Sequence, residues 1–161
     1  MDAVSKFILE CGCNIEDSRM AVLGGEFAML MLVTGQPAGV EKLTKGAAAT
    51  GQKTKLAIQI RATQAPAEAA QKGTLPYEIE AFSMDHPGIV QRVAGFLAER
   101  QINIRALDTR LTNAPITGLP LFSLHATVDI PAQENVMELR RGLQAIGAQE
   151  NIDIEMKPAG R

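Results

Sequence analysis

The 161-residue chain is 46% apolar and 21% charged with a formal net charge of -2, an ordinary composition for a globular protein of one medium or two small domains. It has no basic tract, no apolar run of the roughly 20 residues a membrane span needs, and no basic-then-apolar leader. Direct nucleic-acid binding and a membrane location are therefore not expected, and the cytoplasm is the default compartment.

In chain order, a helix is expected from Met1 or just after. Strands follow over Asn14–Leu23 and Glu26–Thr34, joined by the hairpin signal Gly24-Gly25. The second of these contains "FAMLMLV", apolar on both faces: Phe27, Met29, Met31 and Val33 point one way, Ala28, Leu30 and Leu32 the other. One face should meet the unit's own helices, and the other should meet another domain or chain. A helix over Ala38–Ala49 and a strand over Leu56–Thr63 complete an α-β-β-α-β run, and Ala65–Pro76 has linker composition.

A second run is clearer. Tyr77–Met84 alternates like a strand. Ile89, Val93, Phe96 and Leu97 then fall on one face of a helix entered at Pro87. Ile102, Ile104 and Ala106 open a strand, and Thr112–Pro120 is a loop. Phe122–Ile130 alternates apolar residues with Ser123, His125, Thr127 and Asp129. Val136, Leu139, Leu143 and Ile146 mark a helix, and Ile152, Ile154 and Met156 a last strand. This is the β-α-β-β-α-β order of the ferredoxin-like plan.

The two runs repeat one another. Val4 aligns with Val93, Phe7 with Phe96, Ile8 with Leu97, Glu10 with Glu99, and Asn14-Ile15 with Asn103-Ile104. "DSR" (Asp17–Arg19) then returns as "DTR" (Asp108–Arg110). The fold class expected is α+β: two tandem ferredoxin-like domains over 1–65 and 77–158, with a linker at 66–76. By this offset Met1 corresponds to Val90, so the first repeat is N-terminally incomplete: it lacks its first strand and the turn after it. That strand is central in the plan, and its loss should expose edges on both neighbours.

The stretch "SMDHPGIV" (Ser83–Val90) therefore occurs once. Gly88 has no Cβ to keep a ligand away, and the first N–H groups of the following helix carry partial positive charge that suits a carboxylate. Asp85 is placed either to cap that helix or to accept from a ligand ammonium. On the residues alone, a capped turn and a binding turn stand equally open. Cys11 and Cys13 form a lone C-x-C far in sequence from His86 and His125, so buried thiols are expected there and no metal site. No nucleophile stands at a base's spacing and no phosphate-cradling loop is present, so an enzyme is not expected.

"YEIEAFSMDHPGIVQRVAGFLAERQINI" resembles an ACT domain, a small βαββαβ module that binds amino acids. "CGCNIEDSRMAVLGGEFAMLMLV" and "TRLTNAPITGLPLFSL" together resemble the glycine cleavage system transcriptional repressor family. The resemblance implies an amino-acid-responsive regulator of transcription without a cofactor, paired as a homodimer. Having no DNA-binding motif of its own, it would act through a protein partner such as a DNA-binding activator. The alternative is a regulatory subunit of an amino-acid biosynthetic enzyme. By similarity to the serine-sensing ACT modules of phosphoglycerate dehydrogenases, Asp85 and Asn103 contact the amino acid. Asp85 departs from that pattern, an acid where an amide is usual, which turns it toward the ligand ammonium. The implied ligand set is Asp85, His86, Pro87, Gly88, Ile89 and Asn103, with Asn14 the repeat partner of Asn103.

Overall fold

The computed structural model describes residues 2–63, 73–84, 88–114 and 118–160. They form two compact units, Met1–Gln64 and Ala65–Arg161. No described helix is long and apolar enough to cross a membrane.

The second unit runs β3 (Thr74–Met84), α3 (Ile89–Glu99), β4 (Asn103–Asn113), β5 (Pro120–Pro131), α4 (Val136–Glu150) and β6 (Asp153–Pro158). Its sheet has the order β4-β5-β3-β6 with every neighbouring pair antiparallel. Strand alternation puts Ile79 and Ala81 of β3, Leu124, Ala126, Val128 and Ile130 of β5, and Ile154 and Met156 of β6 on one buried face. Val93 and Leu97 of α3 and Leu139 and Leu143 of α4, spaced by one helical turn, close over it. Asn135 caps α4 by accepting from the N–H groups of Met137 and Glu138.

β3 begins at Thr74, so the segment expected to be linker up to Pro76 is partly strand. Thr74, Leu75 and Pro76 pair with Pro131, Ile130 and Asp129 at the far end of β5. A strand's length is set by the partner it can reach, and linker composition at its start does not forbid pairing.

The first unit runs α1 (Asp2–Glu10), β1 (Cys13–Leu23), β2 (Glu26–Gly35) and α2 (Pro37–Thr54). The sheet is the single antiparallel pair β1-β2. Val4, Ile8, Cys11, Cys13 and Leu43 are buried, with Met29, Met31, Val33, Leu56 and Ile58 packed against them. Both cysteines are free, buried thiols. Met29, Met31 and Val33 on the inner face of "FAMLMLV" thus pack as expected, whereas Phe27, grouped with them, stays 40% exposed near the hairpin end of β2, and Leu30 and Leu32 on the other face stay 76% and 45% exposed.

Two details depart from expectation. α2 continues one further turn, to Thr54, and stops at Lys55, whose left-handed backbone places its N–H on the Gly51 carbonyl. Leu56–Thr63 forms no strand. Its counterpart in the second unit, β6, owes its pairing entirely to β3, and the described residues of the first unit hold no strand in that place.

The two units match residue by residue where both are complete. β1 and β4 bulge at the same place, between Ile15/Asp17 and Ile104/Ala106. Lys55 and Asn151 both end a helix in the left-handed region and bond back to Gly51 and Gly147. These matches run 89 residues apart up to the bulge and 96 apart from α2 onward.

Candidate functional site

The helix after the single turn is entered through Gly88, with φ 101° and ψ -7°. This left-handed conformation is strained for any side chain, and the space where a Cβ would stand is open. The Gly88 carbonyl accepts from Arg92 N–H at 3.0 Å, the first intrahelical bond, so the N–H groups just ahead of it have no helical acceptor. Ile89 is 2% exposed and its side chain belongs to the core. Only its backbone can meet a ligand, which narrows the role expected for it. Asp85, His86 and Pro87 lie outside the described residues.

Asn103 stands at the start of β4, exposed, its Nδ2 donating to Asp129 Oδ2 at 3.4 Å. Arg105, the bulged residue, donates to both oxygens of the same carboxylate, from Nε at 3.3 Å and Nη2 at 2.5 Å. Asp129 and Arg105 were not singled out from the sequence. An acid and a base 24 residues apart give no local signal until the bulge and the β4–β5 register bring them together.

The register also separates Asn103 from the turn. Asn103 pairs with Asp129, and Asp129 with Pro76, near the beginning of β3. The turn follows Met84, eight residues further along β3, or about 26 Å at about 3.3 Å per residue. β5 lies between β3 and β4, so Asn103 is not on a strand adjacent to the one that leads into the turn, as its grouping with that turn had supposed. One unit places the two at opposite ends of its sheet.

The equivalent corner of the first unit is built from Asn14, Glu16 and Thr34. Glu16 Oε1 accepts from Thr34 Oγ1 at 2.7 Å and from Asn14 Nδ2 at 3.1 Å. The Thr34 bond, then the Asn14 bond, hold the Glu16 carboxyl below its ordinary range. Glu16 occupies the place of Arg105, and Thr34 that of Asp129, so the charge at the bulge changes sign between units. A recess of about 620 Å³ opens here, lined by Leu9, Gly12, Cys13, Asn14, Thr34, Gly35 and Gln36. Asn14 thus lines a recess.

On the outer face of the second sheet, Lys157 Nζ lies 2.8 Å from Glu80 Oε1 and 3.8 Å from Glu78 Oε2. The hydrogen bond to Lys157 lowers the Glu80 pKa, and the same bond raises that of Lys157. One ligand atom each from Glu78, Glu80 and His125 fall within 4.8 Å of one another. The Lys157 ammonium already supplies positive charge there.

Residues 1–62 match the ACT domain family. The glycine cleavage system transcriptional repressor of Escherichia coli (strain K12) is 23% identical over 151 residues, covering 94% of this chain and 78% of that protein. Its counterpart in Shigella flexneri matches to the same extent. A crystal structure of a candidate glycine cleavage system transcriptional repressor superposes with a TM-score of 0.74 at 24% identity, over 99% of this chain and 89% of the other. A crystal structure of an unknown protein from Galdieria sulphuraria gives 0.79 at 28% identity, with the same coverage. These likenesses span both units and agree with a tandem ferredoxin-like fold.

Proposed function

Because this chain is a tandem ACT-domain protein resembling the glycine cleavage system transcriptional repressors, we propose that it is a non-enzymatic regulator that responds to a small amino acid and controls glycine cleavage genes through a protein partner. The observation that carries the reading is the likeness to a repressor over 94% of the chain. The entry to α3 is compatible with it. An uncrowded glycine with positive φ precedes helix N–H groups that suit a carboxylate, and Asn103 offers an amide at the other end of the sheet.

The register adds a condition. A ligand touching both the Gly88 turn and Asn103 cannot be held by one unit, since the two stand about 26 Å apart along it. In this reading the amino acid lies between two copies of the chain, the turn from one and Asn103 from its partner, and ligand binding favours the dimer. The sheet face carrying Leu30 and Leu32 supplies apolar surface for association.

The test is calorimetric titration of glycine, serine and other small amino acids, with sedimentation of the free and bound protein. Binding coupled to dimerisation is expected. Failure to bind any amino acid overturns the sensing role. A pull-down that recovers a biosynthetic enzyme in place of a transcription factor overturns the transcriptional one.

A further inference from the structure

Glu78, Glu80 and His125 stand together because of strand register. Glu78 and Glu80 are two residues apart on β3, so both side chains leave the sheet on its outer face. His125 of β5 pairs directly with Glu80 and shares that face. β3 lies between β5 and β6, so the backbone carrying the two acids is held on both edges. One ligand atom from each of the three residues lies within 4.8 Å of the other two. A tetrahedral zinc ion needs about 3.3 Å between donors that it binds at about 2.0–2.1 Å. The side-chain torsions of two glutamates cover that difference.

Charge gives the second argument. The two carboxylates already converge on one cation, the Lys157 ammonium, 2.8 Å from Glu80 and 3.8 Å from Glu78. A single ammonium leaves that pair one charge short of neutral. Glu155 pairs with Glu80 from β6, and Asp108 with His125 from β4, so the row across the sheet carries two more acids. The first unit has no such set. By the correspondence of Thr34 with Asp129 and of Glu16 with Arg105, Leu30 and Arg19 take the places of His125 and Asp108.

We infer that Glu78, Glu80 and His125 form a binding site for a divalent cation of the zinc type, which enters by displacing the Lys157 ammonium. One imidazole with two carboxylates suits zinc and its first-row neighbours, whereas calcium and magnesium take oxygen ligands. Three protein ligands leave a fourth position for water. The Lys157 side chain is half exposed, so it can turn to solvent when the ion arrives. The inference does not depend on the amino-acid reading.

The test is calorimetric titration of zinc chloride into the full chain, with thermal melts in the presence and absence of the metal. One ion per chain and a raised melting temperature are expected. His125→Gln and Glu80→Gln should each weaken binding by about tenfold or more, since even the outer partners of a metal ligand carry that much. Lys157→Met should tighten binding, because the competing ammonium is gone. A chain carrying Cys11→Ser and Cys13→Ser should bind zinc as the wild type does. No saturable binding overturns the inference. So does binding that survives His125→Gln or is lost with the two cysteines. Binding that Lys157→Met leaves unchanged or weakens overturns the displacement of the ammonium.

Discussion

Ile60 and Met156 hold the same place in two repeated units, yet Ile60 is 37% exposed and Met156 is 6% exposed. The cause is β3, which pairs with β6 and lays Ile79 opposite Met156. Without a described strand in that place, the first unit buries its counterpart residues only in part. Burial of apolar area is the main favourable term in folding, so the two units should differ in how strongly equivalent residues hold them together.

Ile154→Ala should cost about 3 kcal/mol, within the usual range for a core truncation, and Ile58→Ala at most about half as much. Ile154 is buried, whereas Ile58 packs against its core while partly exposed. Urea unfolding of both variants, with hydrogen exchange reporting each unit, checks this. Equal costs would mean that coverage by β3 is not the source of the difference.

Gly88→Ala should destabilise the second unit by about 1 kcal/mol through its backbone alone, since φ is 101° and no atom lies near the added Cβ. Asn103→Ala is the cleaner probe of ligand binding. It should leave the melting temperature nearly unchanged and weaken amino-acid binding by about 1 kcal/mol, roughly fivefold. Thermal melts and calorimetry on both variants decide it, and unchanged affinity for Asn103→Ala would place the ligand elsewhere.

The Glu80–Lys157 pair predicts a pH response. The hydrogen bond from Lys157 lowers the Glu80 pKa, so its stabilisation is present above the unfolded carboxylate value near 4.3 and is lost as pH falls through the folded value. Lys157 is raised, so its share is present below the unfolded value near 10.4 and is lost as pH rises through the folded one. Glu16, lowered by Thr34 and Asn14, behaves like Glu80. Lys157→Met should therefore flatten the loss of stability on acidification below about pH 4. Urea midpoints from pH 7 to pH 3 read it, and identical slopes for variant and wild type would rule the pair out as a contributor.

Gly147→Ala should destabilise by about 1–3 kcal/mol, because its Cβ would stand 2.5 Å from the Ile152 carbonyl oxygen. The obstacle is backbone held by the helix-ending bond from Ile152 N–H to the Gly147 carbonyl, so it cannot swing aside as a flexible side chain would. A thermal melt checks it. A neutral result would show that the α4–β6 junction relaxes freely.

Much of the fold was legible because it rests on local patterns. The i, i+3, i+4 spacing of Ile89, Val93, Phe96 and Leu97 is helical whatever surrounds it. Alternation through Phe122–Ile130 is a strand with one buried face, and Gly24-Gly25 supplies the positive φ a tight hairpin needs. The constant offset between Val4, Phe7, Ile8 and Val93, Phe96, Leu97 disclosed the repeat before any coordinate did.

Tertiary structure decided what depends on a partner. Leu56, Ile58 and Ile60 alternate as Ile152, Ile154 and Met156 do, yet only Ile154 and Met156 lie in a strand, because a strand exists through hydrogen bonds to a neighbour. Thr74–Pro76 reads as linker and pairs because β5 extends far enough to meet it. The candidate site divided in the same way. The turn residue Gly88 was readable from its type, but its distance from Asn103 was not. That distance follows from β5 lying between β3 and β4, which makes those two strands parallel and sends the start of β4 to the end of the sheet opposite the turn. The binding of Asn103 and Arg105 to Asp129 likewise waited on the bulge at Ile104/Ala106, because charges far apart in sequence are brought together only by strand register.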